Sequence, residues 1–123
     1  SGVRSSVEAA RNALSDKIQY LTEFLGGEYE IQGAYPAWEY RKESPLRDKM
    51  VEVYETMYGQ KPEVVAIHAG LECGLFYKKI DGLDCVSLGP DMKDIHTSEE
   101  VLDIASTERV WKYLVKVLEE LKD

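Results

Sequence analysis

The distribution of apolar residues predicts a mixed α/β protein, on three observations. Apolar positions recur every three or four residues in several stretches, the spacing of one helix face. Between those stretches lie short apolar or alternating runs, 28–32, 63–67 and 84–88, of strand length. Glycine, proline and serine fall at the junctions, where turns and caps need them. At 123 residues the chain suffices for one domain or two small halves.

The elements follow in order. Val3-Arg4-Ser5-Ser6 reads as a strand end. Ser5-x-x-Glu8 reads as a capping box, in which hydroxyl and carboxylate each satisfy an orphan amide. In the helix that follows, Val7, Ala10, Leu14, Ile18, Leu21 and Leu25 form an apolar stripe, and Gly26-Gly27 ends it. Glu28-Tyr29-Glu30-Ile31-Gln32 alternates like a half-exposed strand, so residues 3 to 33 read strand–helix–strand. Tyr35 to Glu43 has no period and reads as a linker and domain boundary. Ser44-Pro45 opens a second helix, with serine as cap and proline at the first helical position. Leu46, Met50, Val53 and Met57 mark its buried stripe, and Gly59 stops it. Strand 63–67 leads to a short helix, 71–79, and Gly82 turns the chain into strand 84–88. A loop from Gly89 to about Ile104 precedes a last helix, about Thr107 to Leu121, burying Val110, Leu114, Val117 and Leu121. The order from residue 44 on implies a parallel α/β layer.

Composition narrows the function classes. Net charge is −8 with no basic run, which argues against nucleic acid and against an anionic membrane surface. No apolar run approaches the roughly 18 residues of a membrane span, and no signal peptide is visible. Cys73 and Cys85 lie in or near apolar segments, where buried reduced thiols are expected, as in a cytoplasmic protein. The chain starts at Ser1-Gly2 without Met, which suggests a processed or excised piece of a longer protein.

The densest candidate site is Ile67-His68-Ala69-Gly70-Leu71-Glu72-Cys73-Gly74, just after an apolar run. In α/β sheets that edge is where ligands bind. His68 and Glu72 are four apart and share a face if the helix starts early. Gly70 permits close approach of a ligand, although Gly70 and Gly74 equally suit a tight strand-to-helix turn. The second histidine, His96, sits in the acidic run Lys93 to Glu100. Neutral imidazole is a common zinc ligand, and the carboxylates could accept from its other ring nitrogen. The bland reading is a solvated loop histidine, and no HExxH, CxxC or DxDxDG motif is present. Arg4 could hold a carboxylate by its fork, or lie idle on the surface.

Taken in order, Val3-Arg4-Ser5-Ser6, Tyr35-Pro36-Ala37-Trp38, 67–76, Ser87-Leu88-Gly89-Pro90 and Ile95-His96-Thr97-Ser98-Glu99-Glu100 resemble the C-terminal part of an aminoacyl-histidine (Xaa-His) dipeptidase. That enzyme belongs to the co-catalytic zinc metallopeptidases related to carboxypeptidase G and peptidase V. The resemblance implies that residues 1–36 finish a lid and dimerisation domain, and that 37–123 finish the catalytic domain. The implied fold is a strand–helix–strand lid remnant, then the helix–strand–helix–strand–helix end of a zinc-peptidase domain. The implied activity is hydrolysis of Xaa-His dipeptides by a water activated between two zinc ions, with manganese or cobalt as substitutes.

The resemblance makes His96 a metal ligand, and Arg4 the lid arginine on the substrate's terminal carboxylate. It makes Gly70 a backbone contact to substrate, with His68 and Glu72 in the same substrate-facing segment. Family members carry Ser-Pro or Thr-Pro after this histidine, whereas here Thr97-Ser98 follows. The family's other ligands and its general base, a glutamate, match nothing in this chain and fall upstream of it. The piece alone is therefore expected to be inactive, not to bind its metals fully, and to need the rest of the parent polypeptide. Residues 1–33 are expected to pair two copies as a homodimer, through the edge of strand 28–32. The rival reading is a free-standing α/β binding or interaction module without catalysis.

Overall fold

The computed structural model describes residues 7–67 and 72–122. The strand end at Val3–Ser6, the Ser5 half of the capping box, Arg4, His68 and Gly70 lie outside the described residues. Four helices and one small sheet are present among the described residues: α1 (Glu8–Phe24), α2 (Pro45–Tyr58), α3 (Glu72–Lys79), β1 (Met92–Lys93), β2 (Val101–Leu102) and α4 (Ile104–Glu120). The protein is thus mixed α/β. The chain divides into two compact units, Ser1–Glu43 with Val65–Asp84, and Ser44–Val64 with Cys85–Asp123.

In the first unit, α1 begins at Glu8 with Val7 as N-cap and no side-chain cap, so the expected capping box is not the start signal used. The helix ends as the sequence predicts. Gly26 takes φ 79°, and the Gly26 and Gly27 amides donate to the carbonyls of Glu23 and Thr22 at 3.0 and 2.9 Å. The apolar stripe of α1 stays uncovered, with Leu25 73 % exposed. Instead α1 is held through polar contacts: the Arg11 guanidinium donates to the Tyr35 carbonyl, the Ser15 and Tyr29 hydroxyls bond, and Glu8 pairs with Lys78 at 3.8 Å.

In the second unit, α2 starts and stops where the sequence places it. The Ser44 hydroxyl accepts the Arg47 amide at 3.1 Å with Pro45 at the first position, and Gly59 closes the helix at φ 70°. Met50 and Val53 from α2 and Tyr113 and Val117 from α4 are buried together, ringed by Leu46, Tyr54, Met57, Tyr58 and Val86. Each such apolar side chain contributes roughly 1.5–3 kcal/mol when fully buried. The Tyr113 hydroxyl donates to the Met50 carbonyl at 2.7 Å, so the one polar atom carried into the core is satisfied. Tyr54 meets the Tyr113 ring edge-on at 5.4 Å, and the Tyr58 hydroxyl donates to the Arg109 carbonyl at 3.2 Å. Exposed pairs along α4, Lys112–Glu108 at 2.6 Å and Lys116–Glu120 at 2.9 Å, hold the lysines above and the carboxylates below their ordinary titration ranges. Such solvated pairs stabilise little, so the α2–α4 core dominates this unit.

Four expectations need correction. The runs 28–32, 63–67 and 84–88 are irregular rather than strands, and no parallel sheet forms among the described residues. A strand exists only with a neighbour to complete its ladder, and an apolar run supplies no neighbour. Val65, at 62 % exposure, lies open where a sheet interior was expected. The sheet that does form is antiparallel and sits in the supposed loop, pairing Met92 with Leu102 and Lys93 with Val101. Helix α4 begins at Ile104, three residues early, because Asp103 rather than a later residue caps it. Of the stripe expected to be buried on α4, Val117 is buried, Val110 and Leu114 are half-buried and Leu121 is exposed.

Burial pushes the Tyr113 phenol up, with smaller contributions from Tyr54 and Tyr58. The folded chain therefore holds the proton more tightly than the unfolded chain does. Its stabilising contribution is complete below about pH 10 and is lost as pH rises beyond that. Tyr113→Phe is predicted to cost about 1 kcal/mol at neutral pH and to flatten the alkaline loss of stability, read by urea unfolding across pH.

Candidate functional site

His96 lies at the tip of the hairpin formed by β1 and β2, in the second unit. The base of this hairpin is bonded to the start of α4. Asp103 caps the helix by accepting the Ser106 amide at 2.5 Å, and the Ser106 hydroxyl accepts the Asp91 amide at 2.8 Å while donating to the Asp103 carbonyl at 2.8 Å. The Asp103 amide donates to the Asp91 carbonyl at 3.0 Å, and Arg109 reaches the Asp91 carboxylate at 3.5 Å. Ser106 is buried at 3 % exposure, so this polar knot takes the place of water at the helix end. The spacing Asp103-x-x-Ser106, a capping residue before an apolar period, was the signal available in the sequence for it.

The tip is shaped by its own hydrogen bonds. Thr97 bonds the Asp94 carbonyl through its amide at 3.2 Å and its hydroxyl at 2.7 Å, and the Glu100 amide donates to the Thr97 carbonyl at 3.3 Å. Asp94 and His96 both take left-handed backbone, φ 52° and 67°. Residues other than glycine hold that conformation at a cost of about 1–3 kcal/mol when the surroundings impose it. Glu100 accepts the His96 main-chain amide at 3.3 Å. The acidic neighbour expected to orient the ring thus fixes the backbone instead. The exposed imidazole is presented by a constrained turn.

Glu72 opens α3 in the first unit, exposed, at the helix end where a carboxylate is favoured. Two residues on, Gly74 is buried. A Cβ there would stand 3.1 Å from the Pro36 carbonyl oxygen and 3.6 Å from the Trp38 Cβ. The glycine therefore lets 36–38 pack closely on α3, where a Cβ would make the Pro36 carbonyl give way by a few tenths of an ångström, a reason that the sequence pattern does not reveal. Cys73 and Cys85 are reduced thiols, each half-buried. His68, Gly70 and Arg4 are outside the described residues, so among the five candidate residues the structure describes His96 and Glu72, one in each unit.

Among the described residues no three His, Cys, Asp or Glu side chains come together so that they could hold a metal ion. A zinc ion in a protein takes about four ligands, or three and a water. The described residues therefore do not fit a metal site by themselves, and His96 could supply a single donor.

No family model matches the chain. It is 33 % identical over 119 residues, 97 % of its length, to the cytosol non-specific dipeptidase of Escherichia coli (strain K12). The structure is similar to the crystal structure of aminoacylhistidine dipeptidase from Vibrio alginolyticus, with a TM-score of 0.79 and 34 % identity over 97 % of the chain. The chain spans about a quarter of the length of these relatives, 24 % in each case. It is thus related to one segment of a dipeptidase, a peptide hydrolase, and its fold is that of the matching segment.

Three substitutions separate packing from chemistry at these positions. Gly74→Val is predicted to destabilise the chain by about 1–3 kcal/mol, since the Pro36 backbone must give way. His96→Gly is predicted to leave the melting temperature unchanged or raised, because glycine accepts φ 67° freely, while His96→Val costs about 1–2 kcal/mol. Thermal unfolding of the three variants checks both.

Proposed function

We propose that the chain is the C-terminal part of a metallo-dipeptidase that cleaves Xaa-His-type dipeptides. The observation that carries this reading is similarity running through nearly the whole chain, in sequence and in fold together, to two dipeptidases. In this reading residues 1–36 finish a lid and dimerisation domain, and 37–123 finish the catalytic domain. His96 gives one imidazole to a zinc ion, and manganese or cobalt can replace the zinc. Its presentation on a strained turn supports the assignment, since such backbone persists where the surroundings impose it and clusters at functional sites. Arg4, Gly70, His68 and Glu72 bind the dipeptide: Arg4 through its terminal carboxylate, Gly70 through its backbone.

One imidazole cannot hold a metal pair, so the remaining donors and the general base belong to the rest of the parent polypeptide. The chain by itself is a site wall without its chemistry. A cytoplasmic location accords with the two reduced thiols and with the fact that no described helix is long and apolar enough to cross a membrane. The uncovered stripe of α1 supports a homodimer through residues 1–33.

A second reading, a non-catalytic binding module, is favoured by the same lack of a converging donor set among the described residues. Two measurements divide them. The isolated chain is predicted to release no amino acid from Xaa-His dipeptides with zinc, manganese or cobalt added. Turnover by it would overturn the fragment assignment. In the intact parent protein, His96→Ala is predicted to lower zinc content and to cut dipeptide hydrolysis by more than about 100-fold, since even residues behind the metal ligands are worth 10–100-fold. Unchanged zinc and turnover would leave the binding module standing.

A further inference from the structure

Strands β1 and β2 pair over two residues each, and every one of those residues is exposed. A two-stranded ladder of that size is marginal by itself, so it does not hold a direction. At the tip, the bonds that shape the turn stay within it: Thr97 to Asp94, Glu100 to Thr97, and His96 to Glu100. The direction in which the hairpin carries His96 is therefore decided at its foot.

The register that pairs Met92 with Leu102 puts Asp91 opposite Asp103. In an antiparallel ladder a hydrogen-bonded pair exchanges two backbone bonds. One of them is direct, from the Asp103 amide to the Asp91 carbonyl at 3.0 Å. The return bond runs through a side chain. The Asp91 amide donates to the Ser106 hydroxyl at 2.8 Å, and that hydroxyl donates to the Asp103 carbonyl at 2.8 Å. One hydroxyl, donor and acceptor at once, thus splices the last rung of the hairpin into the first turn of α4. Ser106 is buried, so water does not compete for the rung. Two neighbours reach the same residues from the exposed side. The Thr107 hydroxyl donates to the Asp103 carbonyl at 3.0 Å but makes no bond to Asp91. Arg109 reaches the Asp91 carboxylate at 3.5 Å in solvent, where an ion pair contributes little.

We infer that Ser106 is a positioning residue: its hydroxyl holds the hairpin at one angle to α4 and thereby sets where the His96 imidazole stands. It acts through the backbone of Asp91 and Asp103 rather than by a bond to the ring. Its bearing on turnover rests on the reading of His96 as part of a dipeptidase site. Alanine at this position removes both bonds and leaves the Asp91 amide without its acceptor. Threonine keeps the hydroxyl, and cysteine keeps the size with a weak donor and a weak acceptor.

The test uses the intact parent protein with its histidine ring carbons labelled for NMR, the His96 signal being identified by its loss in His96→Gln. Ser106→Ala is expected to shift or broaden that signal. It is also expected to lower kcat for dipeptide hydrolysis between about 10- and 100-fold while KM stays within about 2-fold. Ser106→Cys is expected to fall between the two, and it replaces the alanine variant if that one does not fold. Ser106→Thr is expected to restore both readings. Thr107→Ala, which removes a bond to the same carbonyl and none to Asp91, is expected to change neither. The inference is overturned if the His96 signal of the alanine or cysteine variant matches that of the parent, if Thr107→Ala moves it as far, or if threonine fails to restore it. Turnover is scored separately. A moved ring signal with turnover unchanged supports the positioning and removes the proposed role of His96 in hydrolysis. Turnover lost with the ring signal unmoved overturns the positioning and leaves that role standing.

Discussion

The contact on which the second unit depends is the seam between α2 and α4, where the Tyr113 hydroxyl meets the Met50 carbonyl inside a small apolar cluster. Two helices, a hairpin and a buried cap are organised by it. The aromatic group Tyr54, Tyr58 and Tyr113 gives the seam shape, because edge-on rings favour one arrangement over its neighbours. The hydroxyl adds direction, since it is satisfied in a single register of one helix on the other. With the register fixed, the start of α4 is fixed as well, and with it the residues that brace the hairpin. The first unit is organised differently: polar contacts hold α1, and close approach at Gly74 holds α3.

Much of this was legible in the sequence, and the parts that were not share a cause. Helix α2 could be read from end to end because its signals are local: a serine and proline at the start, a glycine at the stop, and Met50 and Val53 on one face. The strands were not legible, since a ladder is a relation between segments and the apolar runs 63–67 and 84–88 carry half of it each. The hairpin around His96 was hidden for the opposite reason. Its strands are two residues long with every residue exposed, so no alternation announces them. Gly74 was read as turn chemistry, while its neighbour Pro36 is distant in sequence and gave no hint of contact.

At the candidate site, the sequence named His96 as a candidate but did not reveal its setting. The acidic residues around His96 suggested partners for its ring, yet Glu100 holds its backbone and Thr97 folds the turn. The resemblance to dipeptidases came from motifs in order along the chain, and similarity over 97 % of the chain bears on the same segment. The chain spans about one quarter of the length of these dipeptidases. A partial chain can be well formed where its contacts are local and bare where they are not. The satisfied seam and the open outer face of α4 show both conditions within one helix.

The brace at the foot of the hairpin has a mechanical meaning. The tip bonds only to itself among the described residues, while the foot is tied to the first turn of α4 through Asp91, Asp103 and Ser106. The hairpin is therefore a short arm bolted to a helix, and the imidazole rides at its end. A rotation of α4 about its own axis swings His96 through an arc set by the arm's length, without breaking a bond in the tip. The aim of that side chain is inherited from the helix, and whatever beds the helix down also aims the histidine.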